Sequence, residues 1–168
     1  AAQNGGVPGE AIGVLLLRRL SDAERDGNRV RGVIRGIAVS FDDNDTAAGV
    51  RRNLQRLFPA GAAARIDAVE TAHVASNRLD QATAEGLTGC VQHETALPLG
   101  STAAQLGHGR STSGMMSVIK AILELEHHSI TPAAGAGQPS ELIRGSGGCF
   151  VLPQQMVSLG NSLPDGAG

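Results

Sequence analysis

The stretch GSTAAQLGHGRSTSGMMSVIKAILELEHHSITP, residues Gly100 to Pro132, has the clearest structural pattern in the chain. Its first residues are small and are typical of a strand that ends in a loop. From Ser111 to His128, apolar residues recur at helical spacing and form one stripe, made by Met115, Val118, Ile119, Ile122 and Leu125. Pro132 then ends the pattern. We therefore predict a strand, a loop and an amphipathic helix packed on a core.

Strands and helices alternate on the amino-terminal side of this stretch. Two apolar runs, Ala11–Leu20 and Val30–Ser40, are separated by a short polar turn and predict adjacent strands. Residues 48–58 carry apolar side chains at helical spacing and predict a helix. A short strand at Ile66–Val69 follows, and then a further helix within Asn77–Leu87 that begins near Asp80. This order predicts an α/β fold in which helices are layered on a sheet.

The sequence after Pro132 is rich in Pro, Gly, Ala and Ser up to Gly148, which indicates a surface segment. Cys149–Leu159 (CFVLPQQMVSL) predicts two short strands interrupted at Pro153. A chain of 168 residues has the length of one domain and can bury a sizeable core. We therefore expect one domain, or part of a larger one.

Composition argues against two classes of function. The net charge of −2 comes from 14 basic and 16 acidic residues without a basic block, and Tyr and Trp are absent, so nucleic-acid binding has little support. The longest apolar run, near Val14–Leu17, is far shorter than the ~20 residues of a membrane span. Residues 1–10 also lack the pattern of a signal peptide. We expect a cytoplasmic protein that binds neither nucleic acid nor membrane.

Two segments carry a resemblance to a known family. VPGEAIGVLLLRRLSDAERDGNRVRGVIRGIAVSFDD, Val7–Asp43, is similar to the segment of β-ketoacyl synthases that follows the halfway point of the thiolase fold. Gly100–Pro132 resembles the family's GSxKSNIGHxxxAxGxxxxIKxxLxLxxxxIPP stretch, including its Gly-His pair, its Ile-Lys pair and its final Pro. IDAVE lies between them, and VSLGNS at Val157–Ser162 matches weakly. The resemblance implies that residues 1–168 are the C-terminal half of a thiolase-like layered α/β/α fold.

The family that this sequence resembles joins acyl units by decarboxylative condensation. A cysteine takes the growing chain from a carrier protein, two histidines support decarboxylation of a malonyl unit, and the resulting carbanion attacks the acyl thioester. Such chemistry needs a thiolate and donors aimed at the developing oxyanion. The family's cysteine belongs to its first half, to which no part of this sequence corresponds. We interpret Cys90 and Cys149 as small buried apolar residues.

The first family histidine belongs to the motif VEAHGTGTxxGDPxEA, which the sequence from Val69 onward resembles. Aligned without gaps, Asp80 matches the family's Asp, Ala72 takes the histidine position, and His73 takes the position of the following glycine. One inserted residue before His73 and one removed before Asp80 would instead make His73 the base. The ungapped alignment is simpler, and His73 remains the second candidate catalytic residue.

The second family motif keeps its histidine and loses two polar neighbours. His108 matches the histidine, whereas Ala103 stands at the lysine position and Gln105 at the asparagine position. Because catalytic groups act as a unit, these losses predict a rate lower by orders of magnitude. His108 is therefore the first candidate for a catalytic or donor role. The alternative is a histidine that packs at the helix start and bonds to backbone.

The remaining polar clusters predict no metal and no cofactor. Glu124, Glu126, His127 and His128 are spread around a helix end, where histidines suit the dipole, and we interpret them as a solvated face. His93-Glu94 is interpreted as surface. Gly145–Gly148 lacks the Lys-Ser/Thr pair and the following helix of a phosphate loop and is interpreted as a turn.

Three hypotheses about function follow from the resemblance. With Ala72 and Ala103, the chain is similar to a catalytically impaired, chain-length-factor-type component of a polyketide or fatty-acid synthase, which shapes the acyl tunnel. The enzymatic alternative is an active β-ketoacyl synthase part that uses His73 as its base. A third alternative is a stand-alone binding module. The expected partners are an acyl carrier protein, the N-terminal half of the same fold, and a ketosynthase in a homo- or heterodimer.

Overall fold

The computed structural model describes residues 7–41, 47–58, 66–72, 77–88, 96–133 and 149–159. Its helices are α1 (Leu20–Arg25), α2 (Ala47–Leu57), α3 (Asn77–Thr88), α4 (Thr102–Leu106) and α5 (Ser113–Glu126), with a 3-10 turn at Arg110–Thr112. Its strands are β1 (Val69–Thr71), β2 (Leu97–Ser101), β3 (Ser129–Ile130), β4 (Phe150–Val151) and β5 (Val157–Ser158). The predicted α/β class is confirmed. Among the described helices, none has the length and apolar character that a membrane crossing requires.

The central sheet is parallel and has the order β1-β2-β4. Thr71 of β1 pairs with Ser101 of β2, and Leu97 of β2 pairs with Phe150 of β4. β3 and β5 form a separate antiparallel pair in which Ile130 lies opposite Val157. Because β1 and β2 run in the same direction, the residues that follow Thr71 and Ser101 leave the sheet side by side at one edge.

Aliphatic residues and one aromatic ring form the core under this sheet. The buried members come from α3, β2 and β4 and are Ala84, Leu87, Leu97, Leu99 and Phe150. Val50 and Leu54 of α2 pack against them from outside. The side chains of Leu97 and Leu99 point to the same face of β2, as alternation along a strand requires. The core therefore holds β1 and β2 in place beneath their shared carboxyl edge.

The helix predicted at Ser111–His128 is present, but its buried face is polar. α5 begins at Ser113 after the 3-10 turn, and Thr112 donates its hydroxyl hydrogen to the Gly109 carbonyl at 2.8 Å instead of capping the helix. The buried residues of α5 are Ser113, Ser117, Lys120 and Glu124, at spacings of four, three and four. Val118 and Leu125 of the predicted apolar stripe are exposed. The reason is that polar groups of β1, α4 and the chain after β3 face this side of α5.

The prediction that the two apolar runs form adjacent strands is wrong, because neither run belongs to a sheet in the described part of the chain. The turn between them contains α1, and Asp26-Gly27 follows that helix. Along the first run, Ile12, Val14 and Leu16 are 93%, 88% and 96% exposed, while Ala11, Gly13 and Leu15 are half-buried. Gly13 faces Met115 and Ile119 of α5. One side of this run therefore packs on α5, and its other side is bare within the described part of the chain.

Candidate functional site

The candidate site lies where β1 and β2 end together. Ala72 directly follows β1, and Ala103 lies one residue inside α4, which starts where β2 ends. The pairing of Thr71 with Ser101 brings these two positions to the same edge of the sheet. Both carry a methyl group, so neither supplies a donor, an acceptor or a charge. His73, the second candidate catalytic residue, lies outside the described residues.

The loop that carries His108 is fixed by its backbone. The N–H of His108 donates to the Val7 carbonyl at 2.7 Å, and the N–H of Gly9 donates to the His108 carbonyl at 3.1 Å. Gly107 has φ +77°, and a β-carbon there would come within 2.9 Å of the Gly9 backbone. The close approach of these two segments therefore requires glycine at position 107. Both bonds use the main chain of His108, so they position the half-buried residue without involving its ring nitrogens.

A small cavity lies beside Ala103. Its volume is about 10 Å³, which is roughly the space that one water molecule needs. Glu10, Thr102, Leu106 and Ser113 are among the residues that line it. The hydroxyl of Ser113 is buried and has no hydrogen-bond partner among the residues of the described ranges. The short side chain at position 103 therefore borders a water-sized cavity that is also lined by the buried Ser113.

Behind the two alanines lies a buried ion-pair network centred on Lys120, the only lysine of the chain. Its Nζ lies 2.5 Å from Oε2 of Glu70 and 3.4 Å from Oε1 of Glu124. The three side chains are 9 to 11% exposed. Charges withdrawn from water to this extent are stable only when they are paired and hydrogen-bonded.

Hydroxyl groups complete the network. Thr102 donates to Oε1 of Glu70 at 2.5 Å, and its hydroxyl oxygen lies 3.0 Å from that of Ser117. Because Thr102 has a single hydroxyl hydrogen, Ser117 must be the donor to Thr102. Glu124 accepts from both the N–H and the hydroxyl of Thr131 at 2.9 Å. The two carboxylates are therefore held by donors from separate elements.

Gly100 makes room for the ion pair. A β-carbon at this position would lie 2.0 Å from Oε2 of Glu70 and 2.6 Å from Nζ of Lys120. Both distances are shorter than any van der Waals contact, so the pair lies directly against the backbone of β2. The side chains of Glu70 and Lys120 can meet here only because residue 100 has no side chain.

An open groove of about 640 Å³ runs along α5 next to this network. Leu106, Met116, Ile119, Leu123 and Met156 form its apolar wall. Lys120 and Glu124 line its polar end, together with His127. The buried polar stripe of α5 thus adjoins a surface that is mainly hydrocarbon.

Comparison with known families now identifies the chain. The profile of the β-ketoacyl synthase C-terminal domain matches residues 31–136. This chain belongs to that family. The match includes both β1 and the loop of His108, which are the segments that form the candidate site.

Polyketide synthases are among the relatives of this β-ketoacyl synthase domain. It is 34% identical over 165 residues to the pikromycin polyketide synthase component PikAII of Streptomyces venezuelae, covering 90% of this chain and 4% of the relative. It is 28% identical over 178 residues to the reducing polyketide synthase DEP5 of Alternaria brassicicola, covering 96% and 7%. The chain therefore spans only a small part of these curated relatives.

Solved ketosynthases share the fold of the domain. The ketosynthase from module 6 of the bacillaene synthase of Bacillus subtilis 168 superposes with a TM-score of 0.73 at 19% identity, covering 86% of this chain and 28% of that one. The ketosynthase from module 1 of the bacillaene synthase of Bacillus amyloliquefaciens FZB42 gives 0.72 at 21%, covering 86% and 29%. The thiolase-like fold class that the resemblance implied is confirmed.

Near the candidate site, one interpretation of the sequence is wrong, and one group of residues was missed. Glu124 does not belong to a solvated face, because it is buried against Lys120 and Thr131. Glu126, two residues later, is the partner of Arg29 and Arg31 at the surface. In the part of the chain that the structure describes, no three His, Cys, Asp or Glu side chains meet as metal ligands could. The four-three-four spacing of polar residues in α5 was the signal that could have revealed the buried network.

Proposed function

We propose that this ketosynthase-type chain is a component of a polyketide or fatty-acid synthase that supports condensation without forming the bond itself, as chain-length-factor subunits do. The observation that carries the proposal is the pair of alanines at the carboxyl edge of β1 and β2. Ala72 and Ala103 lie just after β1 and β2 at the same edge of the sheet, and in the ungapped alignment they take the family's histidine and lysine positions. A site without these groups has lost most of its means of stabilising an enolate and an oxyanion.

The exposed apolar face supports a role inside a larger assembly. Ile12, Val14 and Leu16 leave almost their whole side chains in water. Contiguous apolar surface of this kind marks an interaction site. We propose that this face is covered by the remaining part of the ketosynthase fold and that the completed unit pairs with a ketosynthase as a dimer. The expected carrier of the acyl chain is an acyl carrier protein, because relatives of this chain are polyketide synthase components.

The test is reconstitution with the synthase polypeptides of the source organism. Omission of the chain should lower the yield of condensed product and change its acyl-chain length, because a scaffold contributes to the tunnel. A His108→Ala variant should restore both as well as the wild-type chain does. A product that is independent of the chain would contradict the proposal. A product that requires the ring of His108 would favour the enzymatic alternative.

The enzymatic alternative rests on the retained His108. Its loop is held against residues 7–9 by two backbone hydrogen bonds. This arrangement provides the rigid support that a catalytic group needs. The alternative therefore predicts that His108→Ala and His73→Ala each lower the rate of malonyl decarboxylation.

A further inference from the structure

We infer that Lys120 is a positioning residue that fixes the carboxyl edge of β1 and β2, and with it positions 72 and 103, relative to α5. The expected effect of Lys120 on a synthase product rests on the function proposed above, whereas its effect on the sheet edge does not. Lys120 is not one of the residues that we expect to touch substrate. Its effect would be transmitted through Glu70 and Thr102.

The network joins parts of the chain that are distant in sequence. Glu70 belongs to β1, Thr102 begins α4, and Thr131 follows β3, while Lys120 comes from α5. The bond from Thr102 to Glu70 spans 32 residues and the bond from Lys120 to Glu70 spans 50. Every one of these elements therefore has a polar contact to the same buried cluster.

The two positions of the candidate site are attached directly to this cluster. Glu70 lies two residues before Ala72, and Thr102 immediately precedes Ala103. The Thr102–Glu70 hydrogen bond of 2.5 Å thus ties the two segments together at the point where they leave the sheet. If the carboxylate of Glu70 moves, both segments lose their shared anchor.

Geometry leaves the ion pair little freedom to rearrange. Gly100 lies under Glu70 and Lys120 with no space for a β-carbon. Ser117, one turn before Lys120 in α5, hydrogen-bonds to Thr102. Buried ion pairs contribute little net stability compared with apolar side chains of the same size. The burial of this ion pair is better explained by structural specificity, because only one arrangement of the cluster satisfies all its donors and acceptors.

Local hydrogen exchange of the intact chain, in whatever assembly it purifies, tests the inference. In Lys120→Met, the amides of residues 70–72 and 102–104 should exchange at least about tenfold faster relative to those of α2 and α3, because local opening at this edge becomes easier. Thr102→Val, which keeps the ion pair and nearly the same shape, should give the same pattern at smaller amplitude. It also provides the test if the lysine variant does not fold.

A matched control separates positioning from general stability. Leu54→Ala weakens the packing of α2 on the core and should speed exchange in α2 and α3 while the edge keeps its relative protection. If Lys120→Met and Thr102→Val speed exchange at the edge no more than in α2 and α3, the positioning role is overturned.

The consequence in the synthase is measured separately. In the reconstituted synthase, Lys120→Met should alter the distribution of acyl-chain lengths, whereas Leu54→Ala should lower yield without altering it. Faster edge exchange with an unchanged chain-length distribution would leave Lys120 a positioning residue and count against the proposed function. Unchanged edge exchange would overturn the positioning role whatever the product.

Discussion

Oε2 of Glu70 lies 2.5 Å from Nζ of Lys120, although 50 residues separate the two in sequence. Glu70 ends up beneath the candidate site because β1 pairs with β2, and Lys120 reaches it because the buried stripe of α5 is polar. The pair therefore links the sheet edge to the longest helix of the described chain. Because the pair is buried, single substitutions in and around it should have large effects on the free energy of unfolding.

Removal of the lysine should destabilise the protein far more than removal of a surface arginine. Lys120→Met leaves Glu70 and Glu124 buried without their cation, and we expect a loss of about 3–5 kcal/mol in the free energy of unfolding. Arg31→Met breaks the exposed ion pair with Glu126 and should cost less than about 1 kcal/mol. Urea unfolding of both variants checks the contrast. Equal losses would mean that the Lys120 pair is no more desolvated than the surface pair.

Two glycine-to-alanine substitutions should change the free energy of unfolding in opposite directions. Gly100→Ala places a β-carbon against the ion pair and should destabilise by about 1–3 kcal/mol, the usual cost of overpacking. Gly114→Ala adds its β-carbon to open space on α5 and should stabilise by roughly 0.5–1 kcal/mol through helix propensity. Thermal unfolding of the two variants gives the signs directly. A stabilising Gly100→Ala would show that the ion pair does not lie against β2.

Two serines on the same face of α5 should also differ. Ser117→Ala removes the donor to Thr102 and should cost about 1 kcal/mol. Ser113→Ala removes an unpartnered buried hydroxyl and should be neutral or slightly stabilising. The midpoints of denaturant unfolding of the two variants are compared, with the same dependence of the free energy on denaturant concentration for both. The reverse order of stability would indicate that Ser113, and not Ser117, makes the important bond.

The pH dependence of stability should contain a small contribution from Asp26. Hydrogen bonds from Arg25, and then from Arg18, hold the pKa of this carboxyl below its ordinary value of 3.8. A depressed folded-state pKa gives stability that is present above the ordinary value and lost as the pH falls through the folded value. Asp26→Asn should therefore reduce the loss of stability on acidification below about pH 4. Glu24→Gln on the same turn is the control, and an equal effect there would contradict the assignment.

The order of elements could be predicted from the sequence because most of them carry a regular apolar spacing. The helix predicted at residues 48–58 agrees with α2 to within one residue at each end. The second helix was expected to begin near Asp80, and α3 begins three residues earlier, at Asn77. The segment Cys149–Leu159 contains the two predicted short strands on either side of Pro153. In each case local spacing and the fold favour the same conformation.

The strand assignment of the first apolar runs and the buried face of α5 could not be predicted in this way. Ile12, Val14 and Leu16 satisfy a strand pattern, but pairing depends on neighbours elsewhere. On α5 the apolar spacing marked a half-buried face that includes Met115, Ile119 and Ile122, and it missed the polar face that is fully buried. The polar spacing of α5 marks Lys120 and Glu124, but the contact of Lys120 with Glu70 spans 50 residues and leaves no mark in local periodicity. The resemblance to the family indicated both segments of the candidate site but not the buried cluster that holds them.

Malonyl decarboxylation tests most directly the central proposal that this chain supports condensation without catalysing it. The intact assembly is incubated with labelled malonyl thioester, and release of carbon dioxide is compared between the wild-type chain and a His73→Ala/His108→Ala variant. We predict the same rate for both, because the chain supplies structure and a partner supplies the catalytic groups. A rate that falls by orders of magnitude in the variant would contradict the account and make this chain the condensing enzyme.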